Sequence, residues 1–159
     1  MRTNNLKVKN IIISIYFVLI LLAILASTIF SVFSHLTNNP SLIFFLIFLA
    51  FVALFVVVHY ISKYFEYDSD GIKVVVINKG LLLSDYFNYR EHKLEFSKEN
   101  LVGYKFHNYL VYKSLSLYIK DRKGNKKKES FNVTLVAKKK RKYIRQSLSK
   151  MIKMNKKQE

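Results

Sequence analysis

The sequence predicts a two-helix transmembrane hairpin followed by an α+β domain, mainly antiparallel β, that ends in an amphipathic helix. The first supporting observation is that residues 10–62 contain no Asp, Glu, Lys or Arg. The second is that apolar residues alternate with a period of two after residue 63, which is typical of strands, and return to helical spacing after residue 138. The chain therefore divides into a basic N-terminus at residues 1–9, a hairpin at 10–62 and a domain at 63–159.

The uncharged run is interrupted once, by the polar segment that begins at His35 and ends at Pro40. A helix needs about 20 apolar residues to cross the ~30 Å hydrocarbon core of a bilayer, and each half of the run is long enough. We therefore predict transmembrane spans at about residues 10–33 and 41–60, joined by a tight turn near Pro40.

Basic residues lie on both sides of the predicted hairpin and not inside it. Arg2, Lys7 and Lys9 precede it, and Lys63 opens a heavily basic segment after it. The N-terminal residues resemble the basic region of a signal peptide, but the apolar run that follows is too long and too uniform for its core. Because cytoplasmic flanks carry an excess of Lys and Arg, we expect both termini in the cytoplasm.

Small side chains recur every four residues in the first span, at Ala23, Ser27 and Ser31. This spacing places them on one helical stripe, where small residues allow two helices in lipid to approach closely. Two interpretations follow: the stripe packs against the second span, or it forms an interface between copies of the chain.

The predicted cytoplasmic part is strongly basic. Of the 27 Lys and Arg, 24 lie in residues 62–159 with all 10 Asp and Glu, which gives a charge of about +14. Such a charge favours an anionic partner, either the inner leaflet of the membrane or nucleic acid. A general lysine-rich composition explains the same charge without any ligand. The absence of Cys excludes disulfides, thiol catalysis and cysteine metal sites.

Alternation of apolar residues and turn-forming residues predict five to seven strands before the last helix. The predicted strands are residues 64–67, 72–78, 94–96, 101–107, 114–119 and 131–135, with turns at 68–71, 78–80 and 121–125 and a helical turn or loop at 97–100. Ile144, Leu148, Met151 and Ile152 share one face of a helix predicted from residue 138 to 154. A bent antiparallel sheet or a small barrel, covered by that helix, fits this order of elements.

Several short segments carry a resemblance to a known layout. They are the two spans, Tyr64-Phe-Glu-Tyr67, Asp70-Gly-Ile72, Asn78-Lys-Gly80, the later hairpin and the final helix. Together they resemble the small membrane-anchored bacterial proteins with a pleckstrin-homology-like (PH-like) domain. The resemblance implies a non-catalytic binding or scaffolding module on the cytoplasmic side of the bacterial inner membrane.

One loop departs from the pattern of PH domains that bind phosphoinositides. Those domains carry basic residues around the first hairpin loop, whereas this chain has Asp68-Ser-Asp-Gly71 there. Two carboxylates repel a phosphorylated headgroup. We therefore do not expect a phosphoinositide pocket at the usual position.

The most unusual local feature is the run of five cations at residues 138–142, in the first turn of the predicted last helix. The helix dipole favours anions at this position, and a helix N-terminus surrounded by lysines can hold phosphate groups. A solvated basic face is the alternative explanation. The candidate anion or lipid contacts are Lys126, Lys127, Lys128, Lys138, Lys139, Lys140, Arg141 and Lys142.

No enzyme site can be assembled from the sequence. It has no glycine-rich phosphate loop, no His pair at metal spacing and no Ser-His-Asp set whose members could be placed together, so we expect no catalytic, metal or cofactor site. We expect a membrane-anchored PH-like binding or scaffolding module that contacts anionic lipid, a membrane protein or a second copy. The second hypothesis is an accessory or regulatory subunit of a larger membrane complex. Non-specific nucleic-acid binding ranks third, since only backbone attraction supports it.

Overall fold

The structure, a computed structural model, describes residues 1–34, 38–81, 91–121 and 124–157. Residues 35–37 of the predicted span-to-span turn and residues 122–123 of the predicted hairpin connection lie outside the described residues. The elements in chain order are β1 (Arg2–Asn4), a 3₁₀ turn (Leu6–Val8), α1 (Lys9–Phe33), α2 (Pro40–Ile61), β2 (Lys63–Asp68), β3 (Lys73–Gly80), β4 (His92–Ser97), a 3₁₀ turn (Lys98–Asn100), β5 (Leu101–Asn108), β6 (Lys113–Lys120), β7 (Lys126–Asn132) and α3 (Lys138–Asn155).

The chain forms two compact units. The helical unit covers Lys7–Tyr60, and the sheet unit combines Met1–Leu6 with Ile61–Glu159. The chain therefore leaves the sheet unit after Leu6 and returns to it at Ile61. We call the part of the sheet unit around these two residues the junction end.

The helical unit consists of α1 and α2, which confirm two long apolar helices at the predicted positions. Both helices are long and apolar enough to cross a membrane, and most of their large apolar side chains are exposed. α2 begins at Pro40, as the missing N–H of proline favours. The helices contact each other through aromatic pairs, with ring centroids 4.8 Å apart for Tyr16 and Phe55 and 5.6 Å apart for Phe30 and Phe44.

The sheet unit contains two antiparallel sheets and α3. Its described strands form a four-stranded sheet in the order β1-β2-β3-β4 and a three-stranded sheet in the order β5-β6-β7. The predicted antiparallel character and the C-terminal helix are confirmed. The described strands do not form the single bent sheet or closed barrel that the sequence suggests, because the 3₁₀ turn Lys98–Asn100 follows β4 and β5 then starts a separate sheet.

One hydrophobic cluster joins both sheets to α3. In β2, Phe65 and Tyr67 are buried while Glu66 between them is not, as a period of two requires. In α3, Ile144 and Leu148 are fully buried, which confirms the predicted apolar face. The other core residues are Val74, Val76, Phe96, Leu101, Leu115, Leu117, Ile119, Phe131, Val133, Val136 and Met151.

Strand β1 has no periodicity in the sequence that predicts it. It pairs antiparallel with β2, and the buried side chain of Asn5 extends this pairing. Asn5 Oδ1 accepts the Phe65 N–H at 2.8 Å, and its Nδ2 donates to the Lys63 carbonyl at 2.9 Å. The guanidinium of Arg2 donates to Glu66 at 2.7 Å. The residues before α1 and those after α2 are thus joined in one sheet.

The turn predicted at residues 78–80 is wrong, because these residues end β3. Asn78, a common turn residue, is held in the strand by tertiary hydrogen bonds. Its Nδ2 donates to the carbonyls of Tyr64 and Asn132, at 2.9 and 3.1 Å. Asn78 therefore ties the four-stranded sheet to the three-stranded one.

The strand predicted at residues 131–135 is shifted in the structure. β7 covers Lys126–Asn132, and residues 133–135 lead through a turn to α3. The shift follows from register: Lys120 pairs with Lys126 directly after the hairpin connection, so pairing starts before the apolar alternation does. The three lysines occupy an edge strand, where Lys blocks pairing with other chains.

Candidate basic groove at the start of the last helix

Helix α3 begins without a capping side chain. Ala137 occupies the N-cap position and forms no side-chain cap hydrogen bond, and the first turn contains no acidic residue. The first N–H groups of a helix have no partner within the helix. They carry the positive end of the helix dipole, so this end of α3 is positive both through its backbone and through its side chains.

Strand β5 packs along α3 in the opposite direction. At one end, the Leu101 carbonyl accepts a hydrogen bond from Asn155 at 3.0 Å. Further along, Tyr104 contacts Ser149 at 2.6 Å. β5 and α3 are therefore antiparallel, and the last residues of β5 lie beside the first residues of α3.

A groove opens where β5, β6 and α3 meet, and we call it the basic groove. It has a volume of about 1020 Å³ and an apolar wall at Phe106, whose ring lies 5.2 Å from the Arg145 guanidinium carbon. Six of the lining residues are cations and none is acidic. The lining residues are Phe106, Asn108, Lys113, Lys138, Lys139, Arg141, Lys142, Arg145 and Gln146.

The cations of the basic groove repel one another. Burial lowers the pKa of Arg141, and the neighbouring Arg145 charge lowers it further. Among the described residues, no carboxylate forms an ion pair with a side chain of the groove. A bound anion would relieve this repulsion, because an opposite charge favours the charged form of a neighbouring base.

The structure divides the predicted cluster at residues 138–142. Lys138, Lys139, Arg141 and Lys142 line the basic groove. Lys140 is the exception, since its Nζ donates to the backbone carbonyl of Asn4. Asn4 lies two residues before the chain leaves the sheet unit, so this hydrogen bond puts the start of α3 and the basic groove at the junction end.

Lys126, Lys127 and Lys128 do not join the basic groove. They pair with the far end of β6, at residues 118–120, whereas the groove residue Lys113 starts that strand. A strand rises about 3.3 Å per residue, so about 23 Å separate the two ends of β6. Lys127 donates to Glu129 at 2.8 Å, and this hydrogen bond is the main reason that the pKa of Glu129 is lowered.

Two cations of the groove escape prediction from the sequence. Arg145 follows Arg141 by four residues, and this helical spacing is a signal that could have found it. Lys113 lies on β6 and approaches α3 only through the packing of the sheet. No local pattern in the sequence indicates that approach.

The other titratable side chains of the described residues include a histidine that lies in the sheet unit. His92 stacks on Phe131 with ring centroids 4.6 Å apart, and its Nε2 lies 2.9 Å from Glu129. Among the described residues, no group of three His, Cys, Asp or Glu side chains could hold a metal ion. The histidine therefore has a packing and hydrogen-bonding role in the structure.

The small-residue stripe of the first span faces α2 in part. Ala23 and Ser27 line a small apolar cavity of about 140 Å³ together with residues of α2 such as Phe48. Their position agrees with the interpretation in which small residues allow the two helices to approach.

Comparison with protein-family models, with curated proteins and with solved structures finds no match to this chain.

Proposed function

We propose that the protein is a non-catalytic binding module, anchored by α1 and α2 in the bacterial inner membrane, whose basic groove binds the headgroups of anionic lipids. The observation that carries the proposal is the position of the groove. Its six cations lie without acidic partners among the described residues, at the end of the sheet unit that continues into two apolar helices.

The anchor formed by α1 and α2 makes lipid of the same membrane a better partner for the groove than a molecule far from that membrane. Because the two helices already anchor the protein, binding of lipid by the groove would orient the sheet unit and would not be needed to recruit it. A basic side chain near an anionic leaflet contributes about 1 kcal/mol, within a Debye length of about 8 Å at physiological salt. Four of the groove cations come from the first two turns of α3, which is the part of that helix at the junction end.

We also propose that the sheet unit is PH-like. Antiparallel strands in two sheets, followed by a single C-terminal helix that packs on the core, support this assignment. The acidic loop at Asp68 and Asp70 stays unsuited to a phosphorylated headgroup at the usual PH position. The basic groove lies at the other end of the unit and offers a different binding place.

Because β1 pairs with β2, the residues before α1 and those after α2 should lie on the same side of the membrane. The basic residues in both segments favour the cytoplasmic side. A reporter that is active only outside the cytoplasm should therefore be inactive when fused after Glu159. The same reporter should be active when inserted at Asn38. Activity of the C-terminal fusion would overturn the proposed topology.

Replacement of Lys138, Lys139 and Lys142 by Gln should weaken binding of phosphatidylglycerol. At about 1 kcal/mol for each lysine, the three substitutions predict a loss of about 100-fold in affinity. The full chain, in neutral detergent, is titrated with short-chain phosphatidylglycerol. Binding is measured by the change in emission of a fluorophore attached to the cysteine of Gln146→Cys. Phosphatidylcholine should bind far more weakly than phosphatidylglycerol, and added salt should weaken the binding of phosphatidylglycerol steeply.

The matched control replaces Lys126, Lys127 and Lys128 by Gln, which removes the same charge at the end of β6 opposite to the groove residue Lys113. This control should keep most of the affinity. Equal losses in both variants would favour a diffuse charge effect and contradict a groove site. Unchanged lipid binding with loss of a co-purifying protein would favour the accessory-subunit hypothesis instead.

A further inference from the structure

The turn between β5 and β6 carries exposed apolar side chains at its tip. Residues 109–112, which we call the Leu110 turn, are closed by a hydrogen bond of 2.8 Å from the Tyr109 N–H to the Tyr112 carbonyl. Leu110 is fully exposed, and Val111 and Tyr109 are 54% and 61% exposed. These side chains are absent from the core cluster of the sheet unit, so folding alone does not account for them.

The composition of this turn is unusual for a position in water. Tight turns between strands favour Gly, Asn, Asp, Pro and Ser, which supply the needed backbone conformations or local hydrogen bonds. Here Leu110 and Val111 occupy the tip, and the flanking tyrosine rings stack with centroids 6.4 Å apart. Local rules that are broken without a structural gain tend to mark functional positions.

The Leu110 turn lies at the junction end, beside the basic groove. β5 runs toward the start of α3, and its last residue, Asn108, lines the groove. Lys113, the first residue after the turn in β6, lines it as well. The hydrogen bond from Lys140 to the Asn4 carbonyl holds this region next to the residues that lead into α1.

We infer that the Leu110 turn inserts into the interfacial region of the membrane that α1 and α2 span. The inference rests on the proposed membrane location of the protein. Leu110 and Val111 enter the boundary between headgroups and acyl chains, and Tyr109 and Tyr112 lie at headgroup level, where tyrosine is enriched in membrane proteins. The basic groove beside the turn faces the anionic headgroups around the inserted residues.

A bilayer fits this surface better than a protein partner does. Two aliphatic side chains at the tip of one turn, flanked by tyrosines and cations, have the arrangement of an interfacial anchor. The residues that lead into α1 also lie at the same end of the sheet unit as the turn. The turn and the groove would act together, the first through apolar contact and the second through charge.

The test uses the full chain in bilayer nanodiscs, with one fluorophore on an introduced cysteine. Because the sequence contains no Cys, Leu110→Cys and Ile72→Cys each give a unique attachment site. Ile72 is the matched control, since it is 88% exposed in the turn after β2, about 26 Å from the junction end of β3. Nitroxide-labelled lipid and aqueous iodide serve as the two quenchers.

We expect lipid-borne nitroxide to quench the probe at position 110 several-fold more than the probe at position 72, and iodide to show the reverse order. Quenching at 110 should occur in phosphatidylcholine and increase in an equal mixture with phosphatidylglycerol. Iodide access at 110 equal to that at 72 would overturn the inference. Protection from both quenchers would also overturn it, because it indicates a protein contact.

The same experiment distinguishes lipid binding by the basic groove from membrane insertion of the Leu110 turn. A groove probe at Gln146 that responds to phosphatidylglycerol, with an aqueous probe at 110, would leave the proposed function standing and refute insertion. Insertion of position 110 in both lipids, with a groove probe that does not distinguish them, would refute anionic-lipid binding and leave insertion standing.

Discussion

Leu117→Asp should unfold the sheet unit, whereas Leu110→Asp should leave it folded. Leu117 lies at 0% exposure in the middle of β6 and belongs to the core cluster. The substitution removes a buried apolar side chain, worth about 1.5–3 kcal/mol, and places a carboxylate in the hydrophobic core. The total cost should exceed about 4 kcal/mol, which is comparable to the whole stability of many domains.

Near-ultraviolet circular dichroism and limited proteolysis of the full chain in detergent would measure this effect. The Leu117→Asp protein should lose its tyrosine signal and become sensitive to protease in the region after Ile61. Leu110→Asp makes the same chemical change at a fully exposed site, so its unfolding midpoint should stay near that of the unchanged protein. Similar behaviour of the two variants would contradict the assignment of Leu117 to the core.

Replacement of residues 7–60 by a short Gly-Asn linker should give a folded soluble domain. β1 and β2 are antiparallel neighbours, so Leu6 and Ile61 lie close enough for an ordinary hairpin loop to join them. The fragment that begins at Ser62 lacks β1 and Asn5. It should unfold at a much lower denaturant concentration, because the edge of β2 is then unpaired and the Phe65 N–H loses its acceptor.

The linked domain also isolates the contribution of one side chain. Asn5 is 2% exposed and satisfies one N–H and one carbonyl of β2. Asn5→Ala should destabilise the domain by about 1–3 kcal/mol, the usual penalty for a buried polar group left without its partner. Urea denaturation of the linked domain measures this difference. Equal midpoints for the linked domain and the Ser62 fragment would show that β1 contributes nothing.

Features with a strong local period are predictable from this sequence. The two apolar helices follow from hydropathy and length, and the buried face of α3 follows from Ile144 and Leu148 at a spacing of four. Burial of Phe65 and Tyr67 follows from their alternation with Glu66. In each case the pattern and the final packing agree, because burial acts on one face of a regular element.

Features that depend on partners distant in sequence are not predictable in the same way. Asn78 lies in a strand since it bonds to Tyr64 and Asn132, although its residue type favours a turn. β1 is a strand because β2 offers it a free edge. Lys113 joins the groove cations through the packing of β5 and β6 on α3. The basic run at residues 138–142 points to the groove, but only tertiary contacts separate Lys140 from its neighbours.

The pairing of β1 with β2 also imposes an order on assembly. During synthesis β1 emerges before the two apolar helices, and its partner β2 emerges after them. Arg2 pairs with Asp68, so the contact closes a loop of more than 60 residues and is formed late. If α1 and α2 cross a membrane, as proposed, β1 and β2 can pair only when both ends of the hairpin lie on the same side. In a chain without that pairing, the edge of β2 that β1 covers would stay unpaired.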